Sequence, residues 1–340
     1  MSHTAVVILN FNGQHWLEKF LPDVVRYSPE AEVVVADNGS TDQSLDWLKA
    51  EMPEVRVIEL QKNRGFAEGY NHALSRIEAD YYLLLNSDVA VTPNWLPPLL
   101  RCLEQNPEAG ACQPRLRSFH QPTHFEYAGA AGGWLDKYGY PFCRGRVFDT
   151  LEADEEQYAT VAPVFWASGA CFLIRADLYH RIGGLDADFF AHMEEIDLCW
   201  RLQNAGYQVV YCPESTVYHV GGGTLQTGSP FKTYLNFRNN LVMLIKNLPA
   251  AQLWQTVFWR MCLDAVAALR FLVRGEFRHF AAVLRAHGYL YARAGFLRKK
   301  RRRTQQLAPA RPPDELHGWL DKSLIWNYFG RKKTTFRELM

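Results

Sequence analysis

The chain is expected to be an α/β protein with a mostly parallel mixed sheet flanked by helices and a C-terminal helical appendage. Three observations predict this. Short apolar runs alternate with helix-compatible stretches from residue 5 onward, as in successive βαβ units. The runs end in polar or acidic residues, as strands do when their carboxyl ends share one edge of a sheet. After residue 230 the alternation gives way to long aromatic-rich stretches studded with Arg.

The organising stretch is Tyr81–Val89, Tyr-Tyr-Leu-Leu-Leu-Asn-Ser-Asp-Val, which reads as a strand buried on both faces. A core strand has no packing use for Asp88, whereas a cation held against a diphosphate needs a hard oxygen ligand on a rigid element. An Asp that merely opens a turn fits the same stretch.

In chain order, Ala5–Leu9 is a strand followed by the polar loop Asn10-Phe11-Asn12-Gly13 and a helix over Trp16–Val25. Glu32–Ala36 is the second strand and ends in Asp37-Asn38-Gly39-Ser40-Thr41-Asp42. A helix over Gln43–Glu51, a strand over Val55–Glu59 and a helix over Phe66–Ile77 lead into Tyr81–Val89. Asn10, Asn12, Asp37, Asn63 and Asp88 all follow strands, so five separate stretches supply one polar rim. Beyond it come a helix over Trp95–Gln105 and a strand over Ala109–Pro114. Phe119–Ala162 shows no clear period and suits a substrate-shaped loop region or an insertion. Val164–Arg175 reads as one strand broken at Gly169. Leu198 and Leu202, with Gly206 after them, mark a helix whose first turn holds Glu194, Glu195 and Asp197. The helix dipole favours acids there in any case, and Asp197 pairs with Arg201 at i,i+4. A strand over Gln208–Pro213 and the stretch Thr216–Gly223, with its lone His219, finish this part.

Here a resemblance enters. Val-Val-Ile-Leu-Asn-Phe-Asn, Val-Val-Ala-Asp-Asn-Gly-Ser-Thr-Asp, Asn63-Arg64-Gly65-Phe66-Ala67 with Asn71, and Leu-Leu-Leu-Asn-Ser-Asp resemble family 2 glycosyltransferases of the GT-A fold, a Rossmann-like nucleotide-binding fold. The similarity is greatest to bacterial rhamnosyltransferase-like members and covers about residues 4–225. It implies that Asn10, Asn12 and Asp37 hold the base and ribose, and that Asn63, Phe66, Ala67 and Asn71 lie beside the nucleotide. The last acid of an Asp-x-Asp motif, Asp88, binds a divalent metal, Mg2+ or Mn2+. Asn86 replaces the first acid and meets ribose or sugar as a neutral group. Glu194–Arg201 resembles the family's Glu-Asp-x-Asp-Leu-Cys-x-Arg motif, whose second acid is the general base. That position is Glu195, a Glu where Asp is usual, and the choice between Glu194 and Glu195 stays open. His219 is implied as the second metal ligand, with the Gly221–Gly223 loop closing over the diphosphate. Trp166, Gly169 and Asp197 are assigned to the acceptor side.

The implied reaction is an inverting sugar transfer from a dTDP- or UDP-linked donor, rhamnose among the candidates, to a glycan or lipid-linked acceptor in cell-surface polysaccharide synthesis. A nucleotidyltransferase is disfavoured because Asn10–Gly13 is neither Gly-rich nor basic. A non-catalytic nucleotide-sugar- or glycan-binding scaffold is the competing reading.

Charge is strongly polarised along the chain. Up to residue 230 there are 16 basic and 30 acidic residues, and after it 21 and 6. The second part therefore faces something anionic. Its apolar runs are broken by Lys246, Arg260, Asp264 and Arg270, which suits interfacial helices and not spanning ones. With Arg298–Arg303, they are expected to hold an anionic leaflet at about 1 kcal/mol per charge. No nucleic-acid-reading motif accompanies the basic run, so no nucleic-acid partner is expected. The expected organisation is a catalytic domain over 1–230, a membrane-associating helical region over 231–305, and a linker and tail over 306–340. Seven scattered cysteines and no secretory signal suit a cytoplasmic protein, peripheral on the inner face of the cell membrane.

Overall fold

The computed structural model describes residues 2–221 and 228–340. β1 (Thr4–Asn10), α1 (Gln14–Arg26), β2 (Glu32–Asp37), α2 (Ser44–Glu51), β3 (Arg56–Glu59), α3 (Gly65–Leu74) and β4 (Tyr81–Asn86) follow one another as the sequence pattern predicts. These strands run parallel in the order β4-β1-β2-β3, with Asn10 opposite Asp37 and Leu9 opposite Asn86, so their carboxyl ends share one edge. Val7, Ala36 and Leu84 face one core; Ile8, Val35 and Leu85 face the other. Burial on both faces is why the runs are continuously apolar. Each fully buried Val or Leu contributes about 1.5–3 kcal/mol.

Tyr81–Val89 is two strands and not one. β4 stops at Asn86, and β5 (Val89–Val91) leaves to pair with another strand, so Asp88 sits in the turn between them. After α4 (Leu96–Gln105), β6 (Ala109–Ser118) runs beyond the stretch read from the sequence. The segment without a clear period folds into β7 (Gly133–Asp136), β8 (Pro141–Cys143), β9 (Arg146–Val147) and β10 (Thr150–Leu151), a second small sheet. Val164–Arg175 also divides. β11 (Ala162–Val164) and β12 (Cys171–Arg175) are separate, and β12 inserts antiparallel between β4 and β6. α5 (Ala176–Arg181), α6 (Glu194–Asn204) and β13 (Gln208–His219) complete this part. β13 pairs with β6, β11 and β5, which sets His219 opposite Val89 and next to Asp88 in the turn.

α7 (Pro230–Asn247), α8 (Ala250–Val273), α9 (Phe277–Ala292) and α10 (Ala294–Leu307) pack onto this body. The join is ionic as well as apolar. The buried Lys246 ammonium lies 2.5 Å from Asp186 and 2.8 Å from Asp197, and Asn247 donates to Asp197 at 2.8 Å. The last stretch, read as linker and tail, adds β14 (Trp319–Leu320) in parallel to β7. Near α11 (Phe336–Leu339), Phe336 packs on Trp134 and Phe142.

Among the described residues, no helix is long and apolar enough to cross a membrane. In α8 two of the charges that break its apolar run turn inward: Arg260 donates to Asp264 at 2.8 Å, and Asp264 also accepts from the Tyr140 hydroxyl. Its outer face carries Trp254, 72% exposed, with Phe258, Val266, Leu269 and Val273 also exposed.

Candidate active site

A cleft of about 340 Å3 opens where the predicted polar rim lies. The ends of β4 and β13 supply Asn86, Ser87, Asp88 and His219; the start of α3 supplies Asn63 and Phe66; the start of α6 supplies Glu194 and Glu195. Gly169 lies between two of these walls, since a Cβ there would stand 3.4 Å from the Phe66 ring and 3.8 Å from the Glu195 Cβ.

One end of the cleft is a charged cluster. His219 Nε2 is 3.2 Å from Asp88 Oδ1, and its Nδ1 is 3.3 Å from Glu126 Oε1. Burial alone would lower the pKa of His219, but Glu126 and Asp88 outweigh it and hold it up at about 10. Burial would raise that of Asp88, yet the His219 contact keeps it below its ordinary value. Two adjacent ligands of a six-coordinate Mg2+ lie about 3 Å apart, so the observed 3.2 Å between the donor atoms fits a shared divalent cation. No third His, Cys, Asp or Glu joins them as a ligand among the described residues, so diphosphate oxygens and water would complete such a site.

The other end is a carboxylate pair in poorly hydrated surroundings. Glu194 is buried, Glu195 half-buried, and neither Oε2 has a hydrogen-bond partner among the described residues. Burial raises the Glu195 carboxyl to about 7. Burial, with the neighbouring Glu195 charge, raises Glu194 well above the ordinary value. The backbone entering α6 is strained: Phe190, His192 and Met193 have φ of 65°, 70° and 72°. Each such residue costs on the order of 1–3 kcal/mol, and this strain persists only where surrounding contacts over-determine it.

A family model for glycosyl transferase family 2 matches residues 5–183, more than half of the chain. The chain belongs to this family. It is 26% identical over 321 residues to N-acetylglucosaminyl-diphospho-decaprenol L-rhamnosyltransferase of Mycobacterium tuberculosis, covering 90% of this chain and 98% of that one. Among solved structures it resembles GalNAc-T7 with UDP, GalNAc and Mn2+, at a TM-score of 0.58, 16% identity, and 74% and 49% of the two chains. It also resembles the mannosyltransferase PcManGT of Pyrobaculum calidifontis in complex with GDP-Man and Mn2+, at a TM-score of 0.51, 14% identity, and 90% and 86% coverage. The glycosyltransferase thus has the GT-A fold.

Several residues assigned from the sequence lie off the cleft of this glycosyltransferase. Trp166 is core: it is 3% exposed, its indole N–H donates to the Trp134 carbonyl at 3.0 Å, and Gly133 lies against its ring. Asp197 keeps the expected pair with Arg201, but it is also enclosed by Lys246 and Asn247 and has no surface left for an acceptor. Asn71 is likewise spent on structure, accepting from the Tyr179 hydroxyl and the Leu185 N–H and donating to the Leu185 carbonyl. The Ala67 methyl is buried in the core. Asn10 and Asp37 are buried behind the wall, where Asn10 donates to Asp37 at 3.1 Å and Asp37 accepts from the Ser40 N–H at 2.9 Å. Asn12, with φ of 50°, ties together the loops after β1 and β2 by accepting from the Thr41 N–H at 2.7 Å. Gly222 and Gly223, expected over the diphosphate, lie outside the described residues.

Other cleft residues had no clear signal. Asn38 reaches across to Asn63 and the Gly65 carbonyl at 3.2 and 3.0 Å. Lys232, at the start of α7, brings a cation from the supposed appendage. His192 is kept neutral, its pKa lowered to about 4 by burial and by Lys232. Only the polarity of Asn38 within its motif could have pointed to a site residue.

Proposed function

We propose that this glycosyltransferase transfers a deoxyhexosyl group, rhamnose first among candidates, from a dTDP- or UDP-linked donor to a hydroxyl of a polyprenyl-diphosphate-linked sugar, with inversion. The carrying observation is the pairing, in one cleft, of a metal-compatible Asp88–His219 end with a half-buried Glu195 whose pKa of about 7 suits a base at neutral pH. The M. tuberculosis relative, by its name, adds L-rhamnose to a decaprenyl-diphosphate-linked N-acetylglucosamine, which supports the substrate class.

Glu195 takes the proton of the acceptor hydroxyl as its oxygen bonds to the sugar C1. The C1–phosphate bond breaks on the opposite face, its electron pair leaves with the nucleoside diphosphate, and a single displacement inverts C1. The positioned carboxylate supplies about 10²–10⁴-fold. Asp88 and His219 would hold a Mg2+ or Mn2+ ion, which when bound neutralises charge on the departing diphosphate. Asn86 and Asn63 present neutral hydrogen-bonding groups to the donor, while Lys232 adds a positive charge beside it. Phe66 and Gly169 shape the floor that excludes water.

The test is binding and turnover of a nucleotide-sugar panel, with and without Mn2+ or Mg2+, on the wild type, Asp88→Ala and Glu195→Gln. One donor bound in a metal-dependent way, lost in Asp88→Ala and bound without turnover in Glu195→Gln, is the expected result. Failure of every nucleotide sugar to bind would end the transferase mechanism; binding without wild-type turnover would favour the scaffold reading.

The outer face of α8 supports a peripheral position on an anionic leaflet at the inner face of the membrane. A helix that buries Arg260 and Asp264 while exposing Trp254, Phe258, Val266, Leu269 and Val273 is apolar on the side a globular protein normally makes polar. Exposed Arg270, Arg274, Arg278 and Arg285 on α8, α9 and their connection supply the cations that anionic headgroups attract. In the basic run of α10, Lys300 is taken by Asp186 and Asp188 and Arg301 by the Ile245 carbonyl, which leaves Arg298, Lys299, Arg302 and Arg303 exposed. Flotation with phosphatidylglycerol vesicles, weakened by salt and by Trp254→Ser with Phe258→Ser, is expected. Self-association through α8 without vesicle binding would instead make this face a protein interface.

A further inference from the structure

The five residues Phe189-Phe190-Ala191-His192-Met193 deliver the chain into α6, and three of them hold left-handed backbone that bulky L-residues disfavour. Something must hold them there. The contacts come from two elements distant in sequence. On one side is Asn239 of α7, fully buried, whose Nδ2 donates to the carbonyls of Phe189, Ala191 and His192 at 3.0, 2.9 and 2.8 Å. Its Oδ1 accepts from Arg238 Nε at 2.8 Å, and Arg238 Nη2 donates to the carbonyls of Asp188 and Phe189 at 2.8 and 3.1 Å. On the other side, the Phe190 carbonyl accepts from the N–H groups of Phe66 and Ala67 at 2.6 and 3.3 Å. The missing side chain of Gly65 admits the Phe190 ring, since a Cβ there would lie 2.5 Å from it.

We infer that Asn239 is the positioning residue of the general base: by gathering three carbonyls it locks residues 189–193 in their left-handed path and aims Glu194 and Glu195 into the cleft. The inference rests on the reading of Glu195 as base. An amide suits the task because its two N–H donors, one of them shared between two carbonyls, serve all three acceptors from one point, while a carboxylate there would meet them with no donor. Phe190 has a second consequence. Its carbonyl joins the donor-side segment at the start of α3 to the catalytic turn, so displacement of one is felt by the other. Asn239 touches neither substrate nor reacting atoms and acts only through the turn.

The experiment compares the full-length wild type with Asn239→Ala, Arg238→Ala and Glu195→Gln, measuring kcat, KM for the donor, and the pH dependence of kcat/KM. Loosening the turn misplaces the carboxylate, and a displacement near 1 Å can cost about 10²-fold. Asn239→Ala is therefore expected to lower kcat by that order, with only a small rise in donor KM, at most about threefold, passed to the start of α3 through the Phe190 carbonyl. The acidic limb of its profile moves downward, as water reaches the released carboxylate. Arg238→Ala, which leaves the Asn239 amide in place, gives a smaller shift in the same directions and serves if Asn239→Ala does not fold. Turnover intact in Glu195→Gln would overturn the base reading itself. Turnover lost in Glu195→Gln but unchanged kcat and pH profile in folded Asn239→Ala or Arg238→Ala would overturn the positioning role alone.

Discussion

Changing Glu195 to Gln should make the enzyme slower and the protein more stable. The carboxyl loses hydration in the cleft, and its pKa rises to about 7. In the proposed role Glu195 acts as the carboxylate, so the active fraction is about 0.1 at pH 6, 0.5 at pH 7 and 0.9 at pH 8, and kcat/KM should climb roughly tenfold over that span. Gln cannot take the proton. The expected loss is about 10²–10⁴-fold, or roughly 2.7–5.5 kcal/mol of transition-state stabilisation. Stability has the opposite sign. A carboxyl whose pKa is raised on folding binds more protons in the native state between its ordinary 4.5 and 7, so native stability falls as pH climbs through that window. The Gln variant escapes that loss and should melt higher than wild type at pH 8, as strained or desolvated catalytic groups often allow. Initial rates from pH 6 to 8 and melting curves at pH 5 and 8 are the assays. A flat wild-type profile, or a Gln variant keeping more than a tenth of the rate, would refute the reasoning; the same losses in Glu194→Gln alone would move the base by one residue.

Three further outcomes are expected. Lys246→Met leaves Asp186 and Asp197 short of a buried cation and should cost about 3–5 kcal/mol, hence a melting temperature lower by roughly 4–7 °C for a chain of this length. Gly65→Ala puts a Cβ 2.5 Å from the Phe190 ring on left-handed backbone with φ of +74°, so both melting temperature and donor affinity should fall, and unchanged donor KM would argue against the shared turn. Trp166→Phe removes a core hydrogen bond to Trp134 worth about 1 kcal/mol, so the acceptor KM should not move; a tenfold rise would restore Trp166 to the acceptor site.

The parallel sheet was legible because its causes are local. Buried runs such as Val33–Ala36 and Tyr81–Leu85 declare strands, and the polar residues after them mark the edge on which ligands collect. The cleft residues Asp88, His219, Glu194 and Glu195 were legible through motifs whose order and spacing could be read along the chain. What a side chain faces is another matter. Trp166, Asn71 and Asp197 belong to motif-bearing stretches, yet each is enclosed by partners from elsewhere: Trp134, Tyr179 with Leu185, and Lys246 with Asn247. Glu126 beside His219, Lys232 beside His192 and Asn239 behind the turn have no local signature at all, because each pair is at least 40 positions apart along the chain. The inward turn of Arg260 and Asp264, which leaves the outer face of α8 apolar, has the same kind of cause, since Asp264 meets Tyr140 from a distant segment. The chain by itself determined which segments become strands and helices and where their polar ends collect, since backbone preference and hydrophobic period act between neighbours. Only the tertiary structure decided which polar groups meet a ligand and which meet each other, since that depends on strand order and helix packing between distant segments.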